Sequence, residues 1–408
     1  MKLKLHTQIF IGIVLGVLCG VLLKDITPIF IKPFGDTFMR LLKLLVIPLV
    51  FTSVTVGIVS IGDVKHLGSV SAKTFAYFIS TGFIATSIGI FLADLIKPGI
   101  NSALQANELS NRVQETLPPF SELLVNIAPQ NIFESLAKGD ILPVIVFAIL
   151  LGLALLEIDS KGKPIVLFFE AAFSAVMKIT DWIIKLTPIG VFALSATVVA
   201  ILGIKSLFSV GTYFLTVVFG LFLHAFIILP IILKIVGKYS PLKLFKQILP
   251  ALAIAAPTAS TAASLPVAMD CLNKNVGVPN RITSFVLPLG TTIDMNGTAL
   301  YQGVAVMFIA QMFGIELTLY HKMIIVITAF FASAGAAAVP GAGLVTMVII
   351  LNAVGVPVEG LSFILAVDRI LDSCRSPVNL WSNACGSVIV AKLEHEKLKP
   401  QEIEQVNN

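Results

Sequence analysis

Charged residues are scarce in this chain: Asp, Glu, Lys and Arg make up 12% of its 408 residues, while 57% are hydrophobic. A soluble domain carries about twice that charge, and apolar runs of bilayer-spanning length recur here as they do only in integral membrane proteins. Cysteine is sparse as well. Cys19, Cys271, Cys374 and Cys385 lie in or beside apolar segments with no CxxC and no Cys/His spacing, which argues against a disulfide frame or a zinc site. Neither HExxH nor GxSxG occurs, and no nucleophile–base set stands out, so the chain reads as no enzyme and needs no cofactor. The net charge of +5 is shared among loops and implies no nucleic-acid partner. The short alternating segments of a β-barrel are absent too, which leaves an all-α polytopic membrane protein.

What is present is a series of long apolar runs, near 7–24, 36–61, 70–96, 141–157, 165–203, 207–236, 281–310 and 360–392, read as eight transmembrane helices. The first follows Lys2 and Lys4 without a small-residue cleavage site and reads as a retained helix. Two further stretches, about 247–272 and 323–351, are broken near their middles by Pro and Gly, at TASTAASLP (Thr258 to Pro266) and SAGAAAVPGAG (Ser333 to Gly343). Each reads as a re-entrant hairpin whose freed backbone groups face a buried ligand or ion; two ordinary spanning helices kinked at Pro266 and Pro340 are the alternative. With both hairpins returning to their own side and the termini cytoplasmic, Lys65, Lys73, Lys161, Lys163, Lys234, Lys238, Lys243, Lys246, Lys274, Arg281, Lys392 and Lys397 fall inside, in line with the positive-inside rule. The polar connection 97–140 then lies outside as a flexible surface loop.

Two polar clusters interrupt the apolar background. In DRILDSCRSPVNLWSN, Asp368, Asp372, Arg375, Ser376, Asn379 and Asn383 share one helix face. Ionisable groups at membrane depth need pairing, water or a charged ligand. Asp372 and Arg375 match a zwitterion with a second carboxylate, or else they form a structural i,i+3 ion pair. In PLGTTIDMNGTALYQG (Pro288 to Gly303), oxygen donors and helix weakeners run together, suited to an unwound segment that coordinates an alkali ion or proton; a polar helix interface is the other reading. His224 reads as a hydrogen-bonded core histidine. Glu170, Lys178, Asp181 and Lys185 read as interfacial or intrahelical pairs.

With PLGTTIDMNGTALYQG, AAAVPGAG and ILDSCRSPVN standing in order and at the right spacing, the chain resembles the dicarboxylate/amino acid:cation symporter family, which includes the glutamate transporters. The resemblance implies a homotrimer in the cell inner (plasma) membrane, working by an elevator. A scaffold of residues 1–69 and 97–206 would be static, a transport domain of 70–96 and 207–393 mobile, and 394–408 a cytoplasmic tail. It also implies that Arg375 holds a side-chain carboxylate and Asp372 an ammonium, with Ser376 and Asn379 near the main-chain carboxylate. Ser260, Thr261, Val339, Gly341 and Gly343 would offer hairpin hydroxyls and amides, and Thr298 would face the substrate side chain. The substrate implied is aspartate or glutamate. A C4-dicarboxylate is the alternative, disfavoured because it has no ammonium for Asp372.

Departures from the family pattern fall at its cation sites. Sodium-coupled members carry Asn-Met-Asp where this chain has Asp294-Met295-Asn296, and Asp where it has Asn383. One candidate site comprises Gly290, Asp294, Asn379 and Asn383. A second is drawn from Thr81, Asp294 and Asn296, with Phe78 and Gly82 standing where oxygen-bearing side chains are expected. A third comprises Thr292, Ser333, Ala334 and Ala336. An Asn at position 383 resembles the proton-coupled branch, so H+ is favoured over Na+ as coupling ion. Pro377 is expected to kink or loosen the last helix, and Arg369 to balance Asp368 or Asp372. An anion channel predicts repeated polar rings and not one asymmetric Asp/Arg site.

Overall fold

A computed structural model describes residues 5–24, 27–59, 64–100, 130–138, 141–202, 206–335 and 342–398. Among these residues all regular structure is helical. α1 (Leu5–Leu22) leads through a π-turn at Thr27–Ile31 into α2 (Lys32–Val59), followed by α3 (Val64–Ile96), a short α4 (Ile132–Lys138), α5 (Ile141–Glu157), α6 (Lys163–Lys185) and α7 (Thr187–Leu202). α8 (Ser206–Leu223) continues through a π-helical turn, His224–Ile228, into α9 (Leu229–Ile235). The remainder comprises α10 (Pro241–Thr258), α11 (Thr261–Asp270), α12 (Asn280–Ile293), α13 (Asn296–Met312), α14 (Leu319–Gly335), α15 (Ala342–Ala353) and α16 (Leu361–Leu393).

Helices α1, α2, α5, α6 and α7 pack among themselves, while α3, α8 and α10 to α15 gather round α16. Seams between α16 and α7 and between α2 and both α14 and α15 join the two groups. Two helices lie at the centre. α13 is buried almost all round from Asn296 to Ala310, as is the second half of α16, the pattern of helices enclosed by other helices. The outer helices do the reverse and present Leu15, Leu18, Phe91, Leu95, Phe208 and Leu215 at the surface, an apolar girdle that suits acyl chains. α3 is strapped at both ends, by Lys73 to Glu394 at 2.7 Å and by Asp94 to Lys322.

α10 and α11 fold back on one another. The turn falls at Ala259, in the left-handed region at φ 50°, followed by Ser260, whose Oγ accepts from the Ala263 amide at 3.2 Å and caps α11. Pro266 lies inside α11, so it is not the point of reversal. α14 and α15 likewise pack side by side, with the connection between them, including Pro340, outside the described residues. The seventh apolar run breaks only at Asp294 and Met295, whose backbone is non-helical.

Some expectations are corrected. The apolar run 165–203 is two helices, because Pro188 has no N–H to give and crowds the preceding turn; the helix is interrupted at Leu186. α16 runs without interruption through Pro377, which has no N–H to give to the Ser373 carbonyl. Part of the outer loop is ordered, since 132–138 form α4, tied by the exposed pair Glu134–Lys138. His224 is wholly buried, yet neither ring nitrogen has a hydrogen-bond partner among the described residues. The π-turn that it opens leaves the Ala225 carbonyl to accept from Trp381 Nε1 at 2.9 Å.

α1 meets α7 through glycines one turn apart. A Cβ on Gly12, Gly16 or Gly20 would lie 2.6, 2.5 or 2.4 Å from a backbone carbonyl oxygen of α7, so close approach of the two backbones depends on the missing side chain. Gly16→Val is therefore expected to destabilise the protein by about 1–3 kcal/mol, read as a lower thermal midpoint in detergent, whereas Gly57→Ala, which meets open space, leaves the midpoint unchanged or higher.

Candidate functional site

The site is built on the face of α16 that turns towards α13. Arg375 is the largest fully buried side chain of the protein, at 1% exposure. Its Nη2 donates to Asp372 Oδ1 at 2.9 Å and to Asp368 Oδ1 at 3.1 Å. These carboxylates stand one and two turns earlier on the same helix, within reach of the guanidinium by helical geometry. Arg369 approaches Asp372 Oδ2 at 3.7 Å, so two carboxylates face two guanidinium groups. The Arg375 plane lies over the Tyr301 ring, 3.9 Å from its centroid, a cation–π contact strengthened by exclusion of water. Nε and Nη1 of Arg375 have no hydrogen-bond partner among the described residues. That leaves N–H donors of a planar cation open to an acceptor such as a carboxylate oxygen.

One turn further along α16, Asn379 ties the helix to the broken segment. Its Oδ1 accepts from the Gly297 amide at 2.7 Å and its Nδ2 donates to Thr298 Oγ1 at 3.3 Å. The break at Asp294–Met295 frees the first amides of α13, and Asn379 satisfies one of them from outside. Gly343, at the start of α15, completes the enclosure: a Cβ there would lie 2.9 Å from Arg375 Nη1 and 3.4 Å from Thr298 Cγ2. Arg375, Asp372, Thr298, Asn379 and Gly343 are thus brought together, with Ser376 buried on the same helix face.

A second polar cell lies deeper. Asn296 Nδ2 donates to Ser382 Oγ at 2.7 Å, and Ser382 Oγ donates to Asp294 Oδ2 at 2.7 Å. Thr81 Oγ1 reaches Asp294 Oδ1 at 3.4 Å while donating to the Tyr77 carbonyl at 2.8 Å. Asn296 Oδ1 and both amide atoms of Asn383 have no partner among the described residues, and both side chains are buried. Asn383 is pressed against Gly290. Oxygen-rich and uncrossed by any basic side chain's hydrogen bond, this cell can hold a proton or an alkali cation. No cluster of three or more His, Cys, Asp or Glu suited to a metal occurs among the described residues.

The other candidates fare differently. Ser260 is engaged in capping α11 and Thr261 accepts from Ser264 Oγ at 2.8 Å through its carbonyl. Thr292 and Ser333 donate to carbonyls of their own helices, at 2.9 and 2.8 Å, which leaves their lone pairs as acceptors. Ala334 lies in the last turn of α14, and Ala336, Val339 and Gly341 lie outside the described residues. Gly82 is backed by Phe330, and a Cβ on it would lie 3.5 Å from Asn296 Oδ1; Phe78 is fully buried.

Four participants were missed as site residues. Asp368 stands on the shared face, but the resemblance implies no role for it. Tyr301 follows Thr298 by three residues and Ser382 follows Asn379 by three, so helical spacing from recognised residues points to both. Tyr77, whose hydroxyl donates to the Ser382 carbonyl at 3.1 Å, carries no such local signal.

Comparison with known proteins adds the following. The sequence model described as the sodium:dicarboxylate symporter family matches residues 5–393. A proton/sodium-glutamate symport protein of Geobacillus stearothermophilus is 37% identical over 96% of this chain and 95% of its own length. A proton/glutamate-aspartate symporter of Escherichia coli (strain K12) is 36% identical over 97% and 94%. A C4-dicarboxylate transport protein of Bacillus subtilis (strain 168) is 33% identical over 99% and 96%.

The contact between Gly290 and Asn383 can be tested by itself. A Cβ on Gly290 would lie 2.3 Å from Asn383 Oδ1, so Gly290→Ala is expected to cost about 1–3 kcal/mol of thermal stability. In an Asn383→Ala background that cost should largely vanish, a coupling that a double-mutant cycle in detergent measures.

Proposed function

The chain belongs to the sodium:dicarboxylate symporter family, and we propose that it is a secondary active symporter which takes up aspartate or glutamate with a proton. The observation that carries this is the buried Arg375 guanidinium, whose Nη2 is held by Asp368 and Asp372 while Nε and Nη1 have no hydrogen-bond partner among the described residues. A carboxylate meeting Nη1 or Nε gains a charge-assisted hydrogen bond in a water-poor setting. An ammonium group on the same solute finds Asp372 within reach of the same pocket. A zwitterion with one extra carboxylate is favoured over a C4-dicarboxylate, which has no ammonium to offer Asp372. Relatives named for glutamate and aspartate agree with this choice.

The second polar cell supplies the coupling site in this reading. Asp294 is buried among hydroxyls, with no basic side chain bonded to it, and a carboxyl group in such surroundings is neutralised by a proton or a small cation. Asn383 brings a neutral amide where a carboxylate would strengthen alkali binding. Both points favour H+ over Na+. Because Asn379 bonds to the first turn of α13 while Asn296 and Asp294 begin and precede it, occupancy of the coupling cell and of the solute pocket bear on the same two-residue break.

The transport cycle follows the family's architecture: a homotrimer in the inner membrane, both termini cytoplasmic, eight spanning helices and two re-entrant hairpins. α3 and α8 to α16 move as a body against α1, α2 and α5 to α7, sliding on the seams that α16, α14 and α15 form with α7 and α2. The hairpin of α14 and α15 gates the pocket, with Gly343 beside the guanidinium.

Two measurements in proteoliposomes test this. An imposed proton gradient, acid outside and sodium absent, is expected to drive accumulation of labelled aspartate; strict dependence on a sodium gradient rejects the coupling assignment. Arg375→Ala is expected to weaken aspartate binding about a hundredfold or more while leaving assembly intact, and unchanged affinity in that variant rejects the pocket.

A further inference from the structure

The sequence places Ser382 beside Asn383 without chemistry of its own, yet its hydroxyl sits at the junction of the coupling cell. It is fully buried, 2.7 Å from Asn296 Nδ2 and 2.7 Å from Asp294 Oδ2. Its backbone is fixed as well, since the Tyr77 hydroxyl donates to the Ser382 carbonyl at 3.1 Å.

The direction of these bonds follows from counting donors. A serine hydroxyl has one proton and lone pairs to accept with. While Asp294 is ionised, the form that could take a cation, an Asn296 turned with its carbonyl oxygen towards Ser382 would leave two acceptors competing for that proton. With the amide nitrogen turned inward, all three groups are paired: Asn296 donates to Ser382, and Ser382 donates to Asp294. Two consequences follow for a bare cation. The point midway between the Asp294 carboxylate and Asn296 is filled by a hydroxyl whose proton faces the carboxylate. Asn296 presents N–H groups to that point and aims its oxygen away, towards Gly82 on α3, where it has no partner among the described residues. Coordination of an alkali ion depends on the number and orientation of oxygens around it, and here one oxygen is turned aside and the space beside another is occupied.

We infer that Ser382 is a specificity-determining residue for the coupling ion: by holding Asn296 in this orientation and filling the gap beside Asp294, it keeps sodium out of the cell. This rests on the symporter reading above and attributes sodium independence to one side chain. Ser382→Gly and Ser382→Ala remove the hydroxyl, free the amide to turn over and leave a space of its size; Ser382→Thr keeps the hydroxyl.

The test compares the four proteins in proteoliposomes, with labelled aspartate, at one pH, with and without a sodium gradient. Sodium is expected to leave the unaltered protein and the Thr variant unaffected, and to stimulate uptake by the Gly and Ala variants about tenfold or more. In parallel, sodium should raise the thermal midpoint of the purified Gly and Ala variants but not that of the unaltered protein, a binding readout that does not need transport. Gly and Ala variants with no sodium response in either assay, beside a sodium-indifferent parent, overturn the assignment to Ser382 and leave the proton-coupled reading standing. A parent that itself requires sodium overturns that reading, and the exclusion by Ser382 with it.

Discussion

A guanidinium buried at 1% exposure cannot stand without partners, and most of what surrounds it follows from that constraint. Desolvation of a charge costs several kcal/mol even after relaxation, so Arg375 requires carboxylates within hydrogen-bond reach. Helical spacing brings two to it, Asp368 and Asp372, from the same element. A π face covers one side of the plane, from Tyr301 on α13. The absence of a side chain at Gly343 lets α15 close over another side. A guanidinium held this way is fixed through Nη2 and keeps Nε and Nη1 without partners among the described residues.

The constraint extends to the backbone. α13 must start beside Arg375 for Thr298 and Tyr301 to reach it, and that start is a two-residue break whose loose amide is met by Asn379. The same break holds Asp294 and Asn296, so the groups that meet a cation and those that meet a solute are separated by less than two helical turns of α13. Ser382 bonds to both Asp294 and Asn296, so these three side chains form one linked unit beside Asn383.

Much of this was legible in the sequence. The i+3 and i+4 spacing from Asp368 to Asn383 gave the shared face, because a continuous helix makes spacing into geometry. The weak segment around Asp294 was recognisable from its glycines and oxygens, although only two residues actually leave the helix. What was not legible depended on contacts between distant elements. The role of Ser382 arises from Asp294 in the break and Asn296 at the start of α13, more than eighty positions away, and Tyr77 acts from α3. The split at Leu186 was missed for a local reason: one proline in an apolar run of that length reads equally as a kink or an end, and packing decides. The first hairpin was read as centred on Thr258 to Pro266, and within that stretch the left-handed Ala259 and the capping Ser260 mark the turn.

The central claim is that one charged pocket between α16, α13 and the second hairpin holds an anionic amino acid. The most direct measurement is an experimental structure of the protein with aspartate bound. The account predicts the side-chain carboxylate hydrogen-bonded to Arg375 through Nη1 or Nε and the ammonium against Asp372, with Gly343 closed over both. Aspartate bound elsewhere, or an Arg375 guanidinium that faces lipid in that structure, contradicts it.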